Sequence, residues 1–224
     1  MKHVFLILAM ILTAVAAAAQ DNWFFPAQGK VNGYTTTITS IAGSQTMYSK
    51  IRSTADSNGI TVTSEVFAAA DAATPVQTTS VKYKDNGDAY VVDFKDALSS
   101  SLGSVENIDI TESSGEMTYP KNPENGKTYG TVDIKIAADI MGTSINLGAS
   151  IKDRAVTAAE TVEVPAGKFD CLKFEETVEV EMMGQPVQTK TTSWIAHGVG
   201  VVKQTTDSMN GMVTATMELS AIEE

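Results

Sequence analysis

Few of the residues on which enzymes and metal sites commonly rely are present in this chain. Its 224 residues include a single cysteine, Cys171, and two histidines, His3 in the N-terminal segment and His197. One cysteine has no intramolecular disulfide partner, and one cysteine with one histidine cannot supply the three or four ligands of a typical zinc site. The sequence therefore predicts no disulfide, no metal site and no cofactor.

Catalytic motifs are also lacking. A Ser-His-Asp triad would have to use His197, which stands in a glycine-rich turn, and no G-x-S-x-G sequence occurs. No Lys or His is placed in the sequence to activate the Cys171 thiol. Paired carboxylates can hydrolyse glycosides, but Glu175, Glu179 and Glu181 alternate in the way that is typical of a solvated strand face. We predict that the protein is not an enzyme.

Positive charge is in short supply. The chain has 16 Lys and Arg residues against 27 Asp and Glu residues, a net charge of −11. Binding to nucleic acid needs a basic surface, and an acidic protein is repelled by anionic lipid headgroups. No apolar stretch beyond residue 20 approaches the length that spans a bilayer. Nucleic acid is therefore disfavoured as a partner, and no transmembrane segment is expected after residue 20.

The N-terminus has the organisation of a secretory signal. Lys2 and His3 precede an apolar run over residues 4–19, which is too short to span a bilayer comfortably. Ala17 and Ala19 provide the A-x-A spacing that signal peptidase accepts. We expect residues 1–20 to be a signal peptide, cleaved after Ala19 or Gln20, and residues 21–224 to form one antiparallel β domain. The mature protein is expected in the periplasm or elsewhere in the cell envelope.

Turn signals recur along the chain. Asn-Gly is a strong hairpin signal because both residues tolerate the positive φ angles of a type I′ turn. Several of these pairs are flanked by alternating apolar residues and so predict hairpins, as Asn86-Gly87 does. The five pairs are Asn32-Gly33, Asn58-Gly59, Asn86-Gly87, Asn125-Gly126 and Asn210-Gly211.

Alternation of apolar and polar residues dominates the C-terminal half. It is clearest over residues 132–140 and 145–151, where one face of each strand is apolar. One-sided alternation in antiparallel strands predicts an all-β fold, mainly antiparallel, in which a strongly bent sheet or half-barrel covers its own apolar face. Residues 66–73 and 93–102 are predicted to form short helices. A register change between Phe169 and Leu172 predicts a β-bulge near Asp170.

Three segments resemble one family of exported bacterial proteins, the DUF3108-like or TapB-like proteins. They are Phe24-Phe25-Pro26, residues 164–171 with the sequence VPAGKFDC, and residues 194–203 with the sequence WIAHGVGVVK. The resemblance implies a β-rich domain of the periplasm or envelope, similar to the half-barrels of lipoprotein carriers, with no established activity. It carries over no catalytic residues.

Methionines occur in several predicted turns at one end of the sheet. If residues 145–164 form one bent strand, the turns at 141–142, 182–184 and 209–212 lie at one end, and those at 165–167 and 197–200 lie at the other. Methionine is flexible and polarisable and is common at surfaces that accept varied apolar partners. We therefore predict a ligand-binding rim for an acyl chain, a lipid or a hydrophobic peptide. Its residues are Met141, Met182, Met183, Met209 and Met212.

Three alternatives to this rim remain open. In the first, the methionines simply cover the core beneath each turn, and in the second they bind copper(I) as soft ligands. In the third, the protein is a structural or interaction component of the envelope that contacts an envelope protein and has no small-molecule ligand. Threonine-rich strands over residues 35–39 and 189–192 would then provide a broad polar surface.

Overall fold

The computed structural model describes residues 23–93, 108–140, 143–182, 185–208 and 211–224. Strands dominate these residues, and no helix occurs among them. The strands are β1 (Val31–Ser40), β2 (Gly43–Asp56), β3 (Gly59–Phe67), β4 (Gln77–Asp85), β5 (Ala89–Asp93), β6 (Ile108–Ser114), β7 (Glu116–Pro120), β8 (Thr128–Tyr129), β9 (Val132–Ile140), β10 (Thr143–Val164), β11 (Gly167–Met182), β12 (Gln185–Ala196), β13 (Gly200–Ser208) and β14 (Val213–Glu223). The all-β prediction is confirmed.

The helix predicted over residues 66–73 is wrong. Val66 and Phe67 complete β3, where they pair with Gln77 of β4 and Tyr48 of β2, and the chain then forms bends and turns up to β4. The alanines of this stretch favour a helix locally, but the strand pairing overrides that preference. Of the second predicted helix, Asp93 ends β5 and residues 94–102 lie outside the described residues.

All the strands belong to one antiparallel sheet that nearly closes into a barrel. The order is β6-β9-β10-β11-β12-β13-β14-β1-β2-β3-β4-β5-β7, and β8 pairs separately with β10. The two edge strands, β6 and β7, are consecutive in the chain and are separated only by Gly115. A Cβ on Gly115 would lie 2.5 Å from the carbonyl oxygen of Asp133. A glycine therefore lets the chain cross from one edge of the sheet to the other.

The longest strand, β10, is irregular near its middle. Its 22 residues include two irregularities in the pairing with β11, between Lys152 and Ala155 and between Val156 and Ala158. Asp153 has a φ of 54°, and it is the one non-glycine residue with positive φ among those described. Residues 145–164 thus lie in one strand, which is the condition on which the predicted division of the turns between two ends depends.

The bulge predicted near Asp170 is wrong. Phe169, Asp170, Cys171 and Leu172 pair without interruption with residues 162 to 159 of β10. The pairing irregularities between these two strands lie instead at residues 152–158 of β10. The extra residues of this strand pair therefore lie in β10 and not at the predicted position in β11.

The Asn-Gly pairs have different outcomes. Hairpins occur at Asn58-Gly59 and Asn86-Gly87, where β2 pairs with β3 and β4 pairs with β5. β13 and β14 also form a hairpin around Gly211, although Asn210 lies outside the described residues. Asn125-Gly126 forms a turn between β7 and β8 but no hairpin, because β7 pairs with β5 and β8 pairs with β10. Asn32-Gly33 lies within β1, at a register shift against β14.

The chain enters the barrel through an N-terminal plug, defined as residues 23–26. Phe24 and Phe25 are 2% and 0% exposed. The Phe25 ring lies 5.3 Å from that of Tyr83 and 5.2 Å from that of Tyr90, and the Phe24 ring lies 5.6 Å from that of Phe174. Buried aromatic rings in such tilted and edge-to-face contacts contribute strongly to a core. The plug is therefore part of the core, although it belongs to no strand.

Candidate functional site

The strand pairing gives the barrel two distinct ends. Hairpins turn after Ile140, Ser208 and Ser40 at one end, which we call the open rim. The hairpins that turn after Val164 and Ala196 lie at the opposite end, where the plug is also found, and we call this the plugged end. The predicted division of these turns between two ends is confirmed by the pairing of the strands that flank them.

Only one of the five predicted methionines has a side chain among those described. Met141, Met183 and Met209 lie outside the described residues, and Met182 is the last residue of β11, with a side chain that is likewise outside the description. Met212 is 51% exposed and lies at the open rim. It borders a shallow groove of about 400 Å³ together with Thr39, Ser40, Ile41, Gly211 and Thr214. Ligand binding by these five methionines therefore stays a prediction.

Two further apolar residues at the open rim were missed by the sequence reasoning. Ile41 is 94% exposed in the β1–β2 turn, and Val76 is 68% exposed just before β4. With Met212, they are three of the four large hydrophobic side chains exposed in the described residues, and the fourth is Ile222 near the plugged end. An apolar residue inside a turn of small and polar residues, as in Ser40-Ile41-Ala42-Gly43, was the available signal.

The inner face of the barrel becomes accessible toward the open rim. Directly paired residues of antiparallel strands share a face, so the pairing identifies which side chains point inward. Along β1 the inner residues Asn32 and Tyr34 are buried, whereas Thr36 and Ile38 are half-buried. Along β3, β4, β13 and β14 the inner side chains likewise change from buried to half-buried toward the open rim. We define the upper lumen by its half-buried inner residues Thr36, Ile38, Ser64, Thr79, Thr206 and Ala215.

The upper lumen is uncharged in the part of the chain that the structure describes. Its side chains are aliphatic groups and hydroxyls. The charged side chains of these and the neighbouring strands point outward, and several form ion pairs, as in the Lys203–Glu218 contact at 2.7 Å and the Arg52–Glu65 contact at 2.7 Å. The lumen therefore suits an uncharged or apolar ligand better than an ion.

Gln204 lies at the floor of the upper lumen. It pairs with Ser193 of β12 and Met217 of β14, and all three side chains are buried. Its Nε2 donates a hydrogen bond to Ser193 Oγ at 2.8 Å, while its Oε1 has no hydrogen-bond partner. Thr206, the next inner residue toward the rim, is half-buried. The floor thus carries an unused hydrogen-bond acceptor one inner position below the half-buried Thr206.

A buried ion pair lies on the same inner face. Arg154 and Glu176 are 1% and 7% exposed, and Arg154 Nε donates to Glu176 Oε2 at 3.3 Å. Burial raises the pKa of Glu176 above its ordinary value, although the Arg154 charge opposes this shift. Glu176 pairs with Thr191, whose own partner in β13 is Thr206. A carboxyl group therefore lies close to the lumen floor.

The segments that carried the family resemblance meet at the plugged end. Gly200 has a φ of 93°, and a Cβ there would lie 2.8 Å from the carbonyl carbon of Phe25. Asn32 Nδ2 donates to the carbonyl oxygen of Val199 at 2.8 Å, and Tyr34 Oη donates to that of Val201 at 2.8 Å. Ser53 Oγ donates to the carbonyl oxygen of Pro26 at 3.0 Å, so the glycine-rich turn and the plug hold each other in place.

The residues considered for catalysis are not brought together. His197 is exposed at the plugged end, where its ring lies 5.4 Å from that of Trp23. Cys171 is 3% exposed, and burial raises its pKa to about 11, so the thiol is a packed side chain. Glu175 and Glu179 form ion pairs with lysines. Among the described residues, no group of three or more His, Cys, Asp and Glu side chains is arranged to hold a metal ion.

No helix in the described ranges is long and apolar enough to cross a membrane. The threonine-rich surface considered for an interaction protein is smaller than the sequence indicates, since Thr191 and Thr192 are 2% and 9% exposed. The side chains of residues 35–39 are all exposed or half-buried.

Two crystal structures have a similar fold. One is that of a candidate lipoprotein from Parabacteroides distasonis, with a TM-score of 0.60 and 22% identity over 92% of this chain and 100% of the other. The second is that of a candidate exported protein with a YmcC-like fold from Bacteroides fragilis, with a TM-score of 0.58 and 16% identity over 91% of this chain and 100% of the other. At these identities the likeness shows the fold alone.

No curated protein sequence matches the chain. The sequence model of the DUF3108-like family matches residues 28–219, which is most of the chain and includes two of the three segments that carry the resemblance. Glycines and buried residues of these segments hold the plugged end together, which gives the likeness a structural basis. The chain therefore belongs to the DUF3108-like family.

Proposed function

We propose that this protein is a non-enzymatic protein of the periplasm or cell envelope that binds an apolar ligand at the open rim of its barrel. The ligand is an acyl chain, a lipid or a hydrophobic peptide. The single observation that carries the proposal is the distribution of exposed apolar side chains. Ile41, Val76 and Met212 all lie at the open rim, while the plug fills the opposite end.

The residues of the interior also favour the open rim as the point at which a ligand enters. Below the rim, the inner residues of the upper lumen are half-buried and uncharged, so an apolar group that enters there meets no ion. At the plugged end the interior is occupied by Phe24 and Phe25. Fully burying a large apolar side chain contributes about 1.5–3 kcal/mol, so apolar contacts at the rim favour binding of an apolar ligand.

Export is proposed on separate grounds. The N-terminal sequence has the organisation of a signal peptide, and the crystal structures of similar fold are of a candidate lipoprotein and a candidate exported protein. The predicted methionines at positions 141, 182, 183 and 209 would extend the apolar rim.

The test is binding of the fluorescent hydrophobic probe N-phenyl-1-naphthylamine. We expect the double variant Ile41→Ser, Met212→Ser to bind the probe about tenfold more weakly than the unmodified protein, because two apolar contacts are lost. The matched control is Ile222→Ser, which removes an apolar side chain of 40% exposure near the plugged end. Its affinity for the probe should be unchanged.

A second variant tests the methionines by replacing Met182, Met183, Met209 and Met212 with Ser. A folded variant with lower probe affinity supports the proposed rim. Equal affinity in the unmodified protein, the double variant and the control would show that the probe binds elsewhere and would favour a structural or interaction role in the envelope.

A further inference from the structure

The floor of the upper lumen selects among the ligands that the open rim would admit. Gln204 is 2% exposed, and its Oε1 accepts no hydrogen bond. An unused acceptor in a buried position is costly, and a donor that reaches it recovers part of that cost. Thr206 lies one inner position closer to the rim and is half-buried, so the inner face changes from half-buried to buried between these two residues.

The charges around this floor disfavour an anionic ligand. Glu176 lies on the same face, two strands away through Thr191. The guanidinium of Arg154 is already engaged by Glu176 and by the carbonyl oxygen of Thr118, at 3.3 Å and 2.7 Å. In the described strands the upper lumen has no cationic side chain. A carboxylate or phosphate brought to the floor would lose its hydration without gaining a partner.

The walls between floor and rim suit a neutral chain. Ile38 and Ala215 are half-buried aliphatic side chains that pair across β1 and β14. Thr36 and Thr206 provide hydroxyls, which can bond to the polar part of a ligand without requiring it to be charged. The mixture is that of a site for an amphiphile with one polar end.

We propose that the ligand of this site is a neutral amphiphile, an alkyl chain that carries an uncharged hydrogen-bond donor such as a hydroxyl or an amide. Its polar end lies at Gln204, and its alkyl chain extends through the upper lumen past Ile38 and Ala215 toward the open rim. This inference rests on the proposed function and deepens it, since it excludes fatty acids and other anionic lipids as the preferred ligands.

The test uses isomers that differ only in the donor. The probes are 1-decanol and methyl nonyl ether, which contain the same atoms, and decanoate, in which a carboxylate replaces the CH2OH group of the alcohol. Each is measured by displacement of N-phenyl-1-naphthylamine at about pH 8 and about 0.5 M salt, so that long-range repulsion by the acidic protein is screened. We expect 1-decanol to bind about three- to tenfold more tightly than the ether, which is the range for one net hydrogen bond.

A variant assigns this preference to one residue. In Gln204→Met the acceptor is replaced by an apolar side chain of similar length, and the preference for the alcohol should fall below about twofold while the ether binds as before. If this variant does not fold, the comparison of decanoate with 1-decanol on the unmodified protein decides, and decanoate is expected to bind at least about tenfold more weakly.

The outcomes separate the two proposals. Probe binding with equal affinity for alcohol and ether, or with tighter binding of decanoate, overturns the neutral-amphiphile inference and leaves the proposed function intact. Absence of probe binding to the unmodified protein overturns the proposed function and this inference with it.

Discussion

Arg154 bonds to Thr118 across a part of the barrel wall that has no strand ladder among the described residues. Arg154 Nη2 in β10 donates to the carbonyl oxygen of Thr118 in β7 at 2.7 Å. The strand β7 pairs with β5, whereas β10 pairs with β8, β9 and β11. Since Nε of the same guanidinium bonds to Glu176 in β11, one side chain connects three strands where the barrel closes.

The first prediction concerns the stability of this closure. Arg154→Met leaves Glu176 buried without its partner, and removal of one member of a buried ion pair costs about 3–5 kcal/mol. Combining it with Glu176→Leu should recover most of the loss, because a well-packed apolar pair often replaces a buried ion pair without cost. Urea unfolding measures both variants. The control Lys82→Met breaks the exposed pair with Asp56 and should cost at most about 1 kcal/mol.

A double variant as unstable as Arg154→Met would contradict this account. It would indicate that the Thr118 hydrogen bond, rather than the uncompensated Glu176 charge, dominates the energetics of the closure.

The second prediction concerns pH. Burial raises the pKa of Glu176 above its ordinary value of 4.5, so the folded protein binds a proton more tightly than the unfolded chain does. The contribution of Glu176 to the free energy of unfolding is therefore fully present below pH 4.5 and is lost as the pH rises through the raised pKa. The stability of the unmodified protein relative to Glu176→Gln should fall over this range in urea titrations. A constant difference from pH 4 to pH 8 would contradict the raised pKa.

The third prediction concerns the plug. Gly200→Ala places a Cβ 2.8 Å from the Phe25 backbone at a φ of 93°, so both contact and conformation are unfavourable. We expect a loss of about 2–4 kcal/mol in the free energy of unfolding. Gly148→Ala is the matched control, since a Cβ there meets nothing within 4 Å. Equal stability of the two variants would show that the plug yields easily.

The fourth prediction concerns Cys171. Its thiol is 3% exposed and has a pKa raised to about 11, so roughly one thousandth is thiolate at pH 8. We expect no labelling by iodoacetamide within an hour in the folded protein and full labelling in urea. Rapid labelling of the folded protein would mean that this part of β11 opens readily.

Local features of this fold could be read from the sequence, and the closure of the barrel could not. Alternation over residues 132–140 and 145–151 identifies β9 and β10, and Asn58-Gly59 and Asn86-Gly87 identify hairpins, because these signals depend on neighbours in the chain. Asn32-Gly33 resembles a turn but lies in a strand. The buried Asn32 side chain donates hydrogen bonds to the Tyr34 hydroxyl and to the carbonyl oxygen of Val199, which is 167 residues away in the chain.

The candidate site shows the same limit. The hairpin order placed the methionine turns at one end, but the exposure of Ile41 and the accessibility of the upper lumen depend on how many strands surround the interior. Nor does Phe24-Phe25-Pro26 reveal by itself that it fills the opposite end, since its aromatic partners Tyr83, Tyr90 and Phe174 are contributed by distant strands.

The pairing of β1 with β14 constrains the time at which the protein can fold. Val31 lies opposite Glu223, so the first and last strands are neighbours in the sheet. If the chain is threaded through a membrane from its N-terminus, β1 waits without this partner until almost the whole polypeptide has been delivered. Closing so long a loop is slow, and unpaired strand edges are prone to aggregate in the interval. A chaperone that holds the emerging chain would therefore raise the yield of folded protein.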